Sequence, residues 1–177
     1  MKRQVTGALL AAGIALAVFT ATALPAAAAT SGSETVSGII VSSGVSGTRT
    51  VISSVAVAKG VFNGVGRIVE VPSLPTDPPN VARDDLVYPE GTMHFVSTSG
   101  EPTSFSLNPH NCMFKVTIPQ TGEIMGGTGQ FTNAAGSFTG TLTAQGLGAR
   151  SSDGSCDPTQ PALHEVDMIA SSGTLSF

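Results

Sequence analysis

A period of two in the hydrophobic pattern is the feature that most restricts the fold of this chain. Between residues 112 and 118, one side of the pattern is entirely apolar, while the other side carries Lys115 and Thr117 beside Met113. Such alternation is typical of a strand with one buried and one exposed face. The apolar side consists of Cys112, Phe114, Val116 and Ile118.

Strand-like segments recur from Val36 to the C-terminus, and none of them has the period of a helix. Charged residues make up only 11% of the chain, which is low for exposed helical faces, whereas the abundant Gly, Ser and Thr suit short strands and tight turns. We therefore predict an all-β domain, built as a single antiparallel β-barrel of about eight strands. A β-sandwich is the alternative architecture.

The first 29 residues have the order of a secretory signal peptide. Two basic residues precede an apolar stretch from Val5 to Leu24, and a proline followed by four alanines ends it. A positive start, an apolar segment and small residues at a cleavage site indicate export. An uncleaved membrane anchor is the alternative, because the stretch approaches the ~20 residues that span a bilayer. We predict a signal peptide over residues 1–29 and one secreted domain over 30–177.

The charge of the secreted part excludes two classes of partner. Without the signal peptide, six basic residues face twelve acidic ones, which gives a net charge of about −6. Nucleic acids and anionic membranes both require a basic face. We expect neither as a partner, and we expect no membrane contact once the signal peptide is removed. The pattern leaves the oligomeric state open.

Two cysteines, Cys112 and Cys156, lie in the secreted part. An even number of cysteines in an exported chain favours a disulfide over free thiols or a metal pair. We predict a Cys112–Cys156 bond that closes a loop of about 45 residues, which the chain-entropy account values at about 4 kcal/mol.

A proline-rich segment interrupts the strand pattern, with four prolines between positions 72 and 79. Proline removes a hydrogen-bond donor and fixes φ, so this segment is not a central strand. We predict an irregular stretch from Ser73 to Tyr88, and we interpret Asp84, Asp85 and Glu90, which cluster beside Tyr88, as a solvated acidic loop. Long loops are often functional, but the sequence assigns no role to the 72–90 region.

The most distinctive segment is the glycine-rich run from Gly126 to Phe138. It reads Gly-Gly-Thr-Gly-Gln-Phe-Thr-Asn-Ala-Ala-Gly-Ser-Phe. Its glycines permit positive φ and close backbone approach, and Phe131 and Phe138 are expected to anchor a tight turn between them. A phosphate-binding loop is the alternative, but no Gly-Lys-Ser/Thr sequence and no helix follow.

This run resembles the turn found in bacterial secreted relatives of the allene oxide cyclase and dirigent β-barrels. Those proteins carry a similar Gly-Gly-Thr-Gly-x-Phe-x-x-Ala-x-Gly run followed by a strand. The resemblance covers the dozen residues of the run and extends loosely to Gln145. It implies an eight-stranded antiparallel barrel with an apolar interior. It transfers no catalytic residue to this chain, because fold and function separate readily.

Few residues suggest chemistry. If the barrel contains a pocket, Arg83, Tyr88 and His94 are the best polar candidates for ligand binding at its mouth, judged by residue type and position. A zinc site needs three or four converging ligands, and a disulfide would remove Cys112 from any pairing with His110. The sequence predicts no metal site and no cofactor.

Three functions are compatible with this pattern. The first is a secreted protein that binds a small apolar ligand inside the barrel. The second is an isomerase or cyclase of the allene oxide cyclase type, which would need a polar group inside the barrel. The third is a non-catalytic extracellular interaction protein, which a solid interior and an exposed apolar patch would favour. The sequence alone decides neither the ligand nor whether the domain is catalytic.

Overall fold

The computed structural model of the protein describes residues 30–45 and 47–177. They form the predicted closed antiparallel β-barrel of eight strands, with three short additional strands. The predicted signal peptide over residues 1–29 lies outside the described residues. The strands are β1 (Ser31–Ser43), β2 (Thr50–Gly60), β3 (Gly64–Val71), β4 (Val81–Tyr88), β5 (Gly91–Ser99), β6 (Ser104–Leu107), β7 (Met113–Gly127), β8 (Ala135–Leu147), β9 (Ala149–Arg150), β10 (Cys156–Asp157) and β11 (His164–Ser176).

The barrel closes because β7 pairs with two different strands on one side. The sheet runs in the order β5-β4-β3-β2-β1-β11-β8-β7, and β5 also pairs with the C-terminal half of β7. The N-terminal half of β7 pairs with β6 instead. When the sheet closes, the backbone N–H and C=O groups of the two outermost strands form hydrogen bonds with each other. In an open sheet these groups would remain unpaired along both edges. As a result, β6 is the only strand of this sheet with a single partner.

Pro119 lies where β7 changes partner. Its carbonyl accepts a hydrogen bond of 2.8 Å from Gly100 N–H, so its missing N–H would have faced the same side, between the end of β5 and the start of β6. A proline costs a sheet nothing where no neighbouring strand needs its donor. This is why Met113–Gly127 is one strand of 15 residues.

One end of the barrel is filled by aromatic side chains. Phe62 contacts Tyr88 and Phe131, with ring centroids 4.9 and 5.0 Å apart. Phe131 also contacts Phe177 at 5.4 Å. All these pairs are edge-on, the arrangement that aromatic quadrupoles favour. We call this end, which also contains the buried Leu175, the closed end of the barrel.

The glycine-rich run forms a turn that seals the closed end. Gly129 has a φ of +60°, and a Cβ there would lie 2.3 Å from the carbonyl oxygen of Glu90. Only glycine therefore lets this turn approach the β4–β5 turn, to which Gln130 N–H donates a 3.1 Å hydrogen bond at Glu90. Both predicted anchors, Phe131 and Phe138, are buried.

Two predicted boundaries are wrong. The strand pattern was expected to begin at Val36, but β1 begins at Ser31 because it pairs with β11 from Ser31 onward. The stretch from Ser73 to Tyr88 was expected to be irregular, yet β4 occupies its second half. Within this proline-rich region, the irregular segment is limited to residues 72–80. Asp84 and Asp85 therefore belong to a strand and not to a solvated loop.

The predicted disulfide is present. Cys112 and Cys156 are bonded, with their Cα atoms 5.4 Å apart, and they are separated by 44 positions. The bond ties the loop after β8 to the turn before β7. Cys112 has a φ of +57°, which is unusual for a residue other than glycine, and its backbone is held by bonds with Asn108 and Gly148.

We expect the loss of this disulfide to lower the free energy of unfolding by about 4 kcal/mol, since a loop of 44 residues would be released in the unfolded chain. The double substitution Cys112→Ser and Cys156→Ser tests this by chemical denaturation. Wild-type protein under reducing conditions is the matched control. Equal stability of the oxidised and disulfide-free proteins would contradict the expectation.

Candidate ligand cavity

The barrel interior is empty at the end opposite the aromatic cluster. A cavity of about 460 Å³ lies there and is partly open to solvent. This volume falls in the range of ligand sites, which is ~300–1,000 Å³. Its walls come from the inward-facing residues of β1, β3, β4, β5, β7, β8 and β11, and its rim includes Arg49 and Ser73 from two loops. We call this end the open end.

The deeper wall of the cavity is apolar. Inward-facing positions alternate along each strand, so one aliphatic or aromatic side chain from most strands reaches the interior. Small residues occupy the remaining positions, notably Gly38, Ala82 and Ala144, and their size leaves the space unfilled. The apolar wall is formed by Val36, Ile40, Ile68, Leu86, Phe95, Ile118, Leu142 and Ile169.

The rim of the cavity is charged, and Arg49 is at its centre. Its guanidinium forms ion pairs with Glu70 on β3 and with Asp167 on β11, the latter at 2.9 Å. Glu165 lies 3.6 Å from its Nε. Burial would lower the pKa of Arg49, but the hydrogen bond and charge of Glu70, with the other two carboxylates, raise it overall.

Asp84 is the carboxylate of the cavity without a cationic partner at close range. It lines the wall on β4 directly opposite Glu70 in the sheet register. Within residues 30–45 and 47–177, no lysine, arginine or histidine lies within 4.0 Å of it. Burial, reinforced by the charge of Glu70 and only partly opposed by Arg49, raises the pKa of Asp84 to about 6.

Asp167 is also perturbed. It is almost fully buried, and burial together with the neighbouring charge of Glu165 raises its pKa despite the ion pair with Arg49. Two carboxyl groups of one cavity therefore hold protons more tightly than free aspartate does. Such groups concentrate at functional sites, although structural networks perturb pKa values too.

The structure brings one of the three predicted binding residues to the cavity. Arg83 lies at the rim, where its guanidinium makes two hydrogen bonds of 2.7 and 2.8 Å to Asp77 in the proline-rich loop. This pairing lowers the pKa of Asp77 to about 2. The proline-rich loop is thereby fastened beside the cavity mouth.

The other two predicted residues lie elsewhere. Tyr88 faces the interior but is buried at the closed end, within the aromatic cluster. His94 is on the outer face of β5, where its Nδ1 lies 2.7 Å from Asp85 Oδ1. Neither is brought to the cavity.

The closed end contains a second polar feature. Glu34 is buried, and its Oε2 accepts a 2.9 Å hydrogen bond from Phe62 N–H, while Oε1 has no partner in the described chain. The hydroxyl of Tyr88 is likewise unpaired there. Burial, with the nearby Glu34 charge, raises the pKa of Tyr88 to about 12.

Sequence reasoning missed five charged cavity residues: Arg49, Glu70, Asp84, Glu165 and Asp167. A signal for the last two was available. Glu165, Asp167 and Ile169 are alternate residues of one strand, and alternate residues point to the same face of a sheet. Once Ile169 is placed in the interior, the two carboxylates must therefore point inward as well. Arg49 follows a loop after β1, and its position gives no such signal.

The described residues contain neither a metal-binding cluster nor a membrane-spanning helix. Over residues 30–45 and 47–177, no three histidine, cysteine or acidic side chains come together closely enough to hold a metal ion. The same residues contain no helix long and apolar enough to cross a membrane.

The fold and the site together define a small closed β-barrel with a one-ended internal cavity. Comparison with protein-family models, with curated proteins and with solved structures found no match to this chain.

The raised pKa values predict how stability depends on pH. A carboxyl group with a higher pKa in the folded state than in the unfolded state makes folding most favourable when it is protonated. For Asp84, that stabilisation is complete below the unfolded value of 3.8 and is lost as the pH rises through about 6. The pKa of Asp77 is lowered from 3.8 to about 2, so this group reduces the stability only as the pH falls below 3.8.

We therefore expect Asp84→Asn to be more stable than wild type at about pH 8, by about 2 kcal/mol, and to flatten the fall in stability between about pH 4 and pH 6. Urea denaturation across this pH range measures both effects. Asp85→Asn, one position along β4 on the outer face, is the matched control and should keep most of the wild-type slope, because the charge of Asp85 is the smallest of the influences on the pKa of Asp84. Because Asp167 also has a raised pKa, some slope remains in Asp84→Asn, but a slope as steep as that of wild type would refute the assignment.

Proposed function

We propose that this domain is an extracytoplasmic binding protein that holds one small molecule with an apolar body in the barrel cavity. The observation that carries the proposal is the cavity of about 460 Å³ with an apolar wall and a polar rim at one end only. This is the usual composition of a small-molecule site, in which apolar walls supply affinity and a few polar groups fix orientation.

The proposed location rests on two observations. The sequence begins with the order of a signal peptide, and the domain contains a disulfide, which persists mainly in oxidising compartments. We also infer a relationship to the allene oxide cyclase and dirigent barrels, supported by the glycine-rich run that seals the closed end.

Binding inside the barrel can be tested by filling the cavity. Ala144 lines it, whereas Gln145, the next residue on β8, faces outward. We expect wild-type protein to bind the neutral apolar dye Nile red with a rise in fluorescence. Ala144→Phe should weaken this binding at least about tenfold, which corresponds to about 1.4 kcal/mol.

Gln145→Phe is the matched control, because it adds the same ring to the outer face of the same strand. It should leave dye affinity unchanged, and thermal denaturation confirms that both variants are folded. Equal binding by wild type and Ala144→Phe would show that the dye is not in the cavity, and the proposal would fail.

An isomerase or cyclase is the second candidate, and the position of Asp84 favours it. A carboxyl group with a pKa of about 6 on the wall of an apolar cavity is suited to donate or accept a proton near neutral pH. Four carboxylates line the same cavity, which disfavours an anionic substrate. The third function considered, an interaction protein with a solid interior, has less support because the interior is not solid.

Turnover distinguishes the second candidate from simple binding. We expect an enzyme of this kind to isomerise an uncharged unsaturated epoxide, such as a fatty epoxide methyl ester, with a rate that Asp84→Asn lowers by at least about 100-fold. Asp85→Asn should retain the rate. Chromatography of the products provides the measurement, and unaltered epoxide after incubation with wild-type protein would exclude this reaction.

A further inference from the structure

The cavity contains an imbalance of charge that an uncharged ligand leaves unexplained. We propose that its ligand carries a positively charged amine on an apolar body, and that Asp84 receives the ammonium group. This inference rests on the proposed binding function and specifies its ligand class. It follows from the charges at the rim, their spacing and the apolar wall behind them.

The charges at the rim are unequal in number. Four carboxylates line the cavity, and they are supplied by β3, β4 and β11. Two guanidinium groups line it too, but Arg83 is occupied by Asp77. Arg49 alone remains to balance the four carboxylates, and it already contacts Glu70 and Asp167 and lies near Glu165. With all groups ionised, the site carries about three uncompensated negative charges, a state that is costly away from water.

Within the cavity, a cationic group would be bound most favourably beside Asp84. It has no basic partner within ion-pair distance in the described part of the chain, and Glu70 lies beside it on β3. β5 and β7 contribute only uncharged side chains to the wall, among them Phe95, Ser97 and Gln120. An ammonium group has three donors and no acceptor, so it can bond to one carboxylate and remain close to another.

The spacing of the acidic groups argues for an organic cation over a metal ion. A calcium site needs six to eight oxygen ligands around one point. The carboxylates of the cavity instead lie on three strands, and no three of them converge closely enough for a metal within residues 30–45 and 47–177. Behind Asp84, the apolar wall, including Leu86 and Phe95, would accept the hydrocarbon part of the ligand.

Three compounds with the same apolar body and different heads test the inference: phenylbutylamine, phenylbutanol and phenylbutanoate. We expect wild-type protein at about pH 8 to bind the amine at least about tenfold more tightly than the alcohol, and the carboxylate most weakly. Isothermal titration calorimetry gives all three affinities. Lowering the pH below about 6 should weaken amine binding, because Asp84 becomes protonated, and leave alcohol binding unchanged.

Asp84→Asn keeps the size of the side chain and removes its charge. We expect it to bind the amine and the alcohol equally, while Asp85→Asn on the outer face keeps the preference of wild type. Glu70→Gln provides a second variant in the same wall and should reduce the preference in part. Calcium chloride alone should give no binding heat.

The outcomes separate the two proposals. If wild-type protein binds the alcohol as tightly as the amine, the ligand is not cationic and the inference fails, while the binding function stands. A preference for the amine that survives in Asp84→Asn also overturns it, as does a calcium site that excludes the amine. If none of the three compounds binds and Nile red does not bind, both proposals fail together.

Discussion

Closure of the sheet through β7 is the constraint on which the rest of the structure depends. One long strand must pair with β8 along its whole length, with β6 over its first half and with β5 over its second. Pro119 marks the point between the two partners, where the absence of a donor does no harm. Once the ring is closed, every second residue of eight strands points to a common interior, so the identity of these residues decides what the interior contains.

The interior is divided along the barrel axis by the size and charge of its side chains. At the closed end, Phe62, Tyr88 and Phe131 fill the ring completely. At the open end, small residues such as Gly38, Ala82 and Ala144 leave a cavity with an apolar wall and a charged rim. Charges at such positions destabilise a core at neutral pH, as the raised pKa of Asp84 shows. Departures of this kind from simple packing rules are found mainly at functional sites.

The features that follow a simple alternation were predictable from the sequence. The first half of β7, the disulfide and the barrel class came from period-two patterns and from the even number of cysteines. The predictions went wrong where charges occupy the inner face. β4 was taken for a loop because Asp84 and its charged neighbours hide the strand pattern, and the start of β1 was missed because Glu34 is an internal carboxylate. The site itself depends on closure, which no local pattern of residues specifies.

The short strand β6 has a consequence for the protein at high concentration. It is the only strand of the large sheet with one partner, and its four residues are all exposed, with Phe105 prominent among them. An unpaired strand edge is a template on which other chains can assemble, and long flat edges promote aggregation. Confining that template to four residues on the rim of a ring leaves little backbone for amyloid-like growth, which helps the protein to stay dispersed.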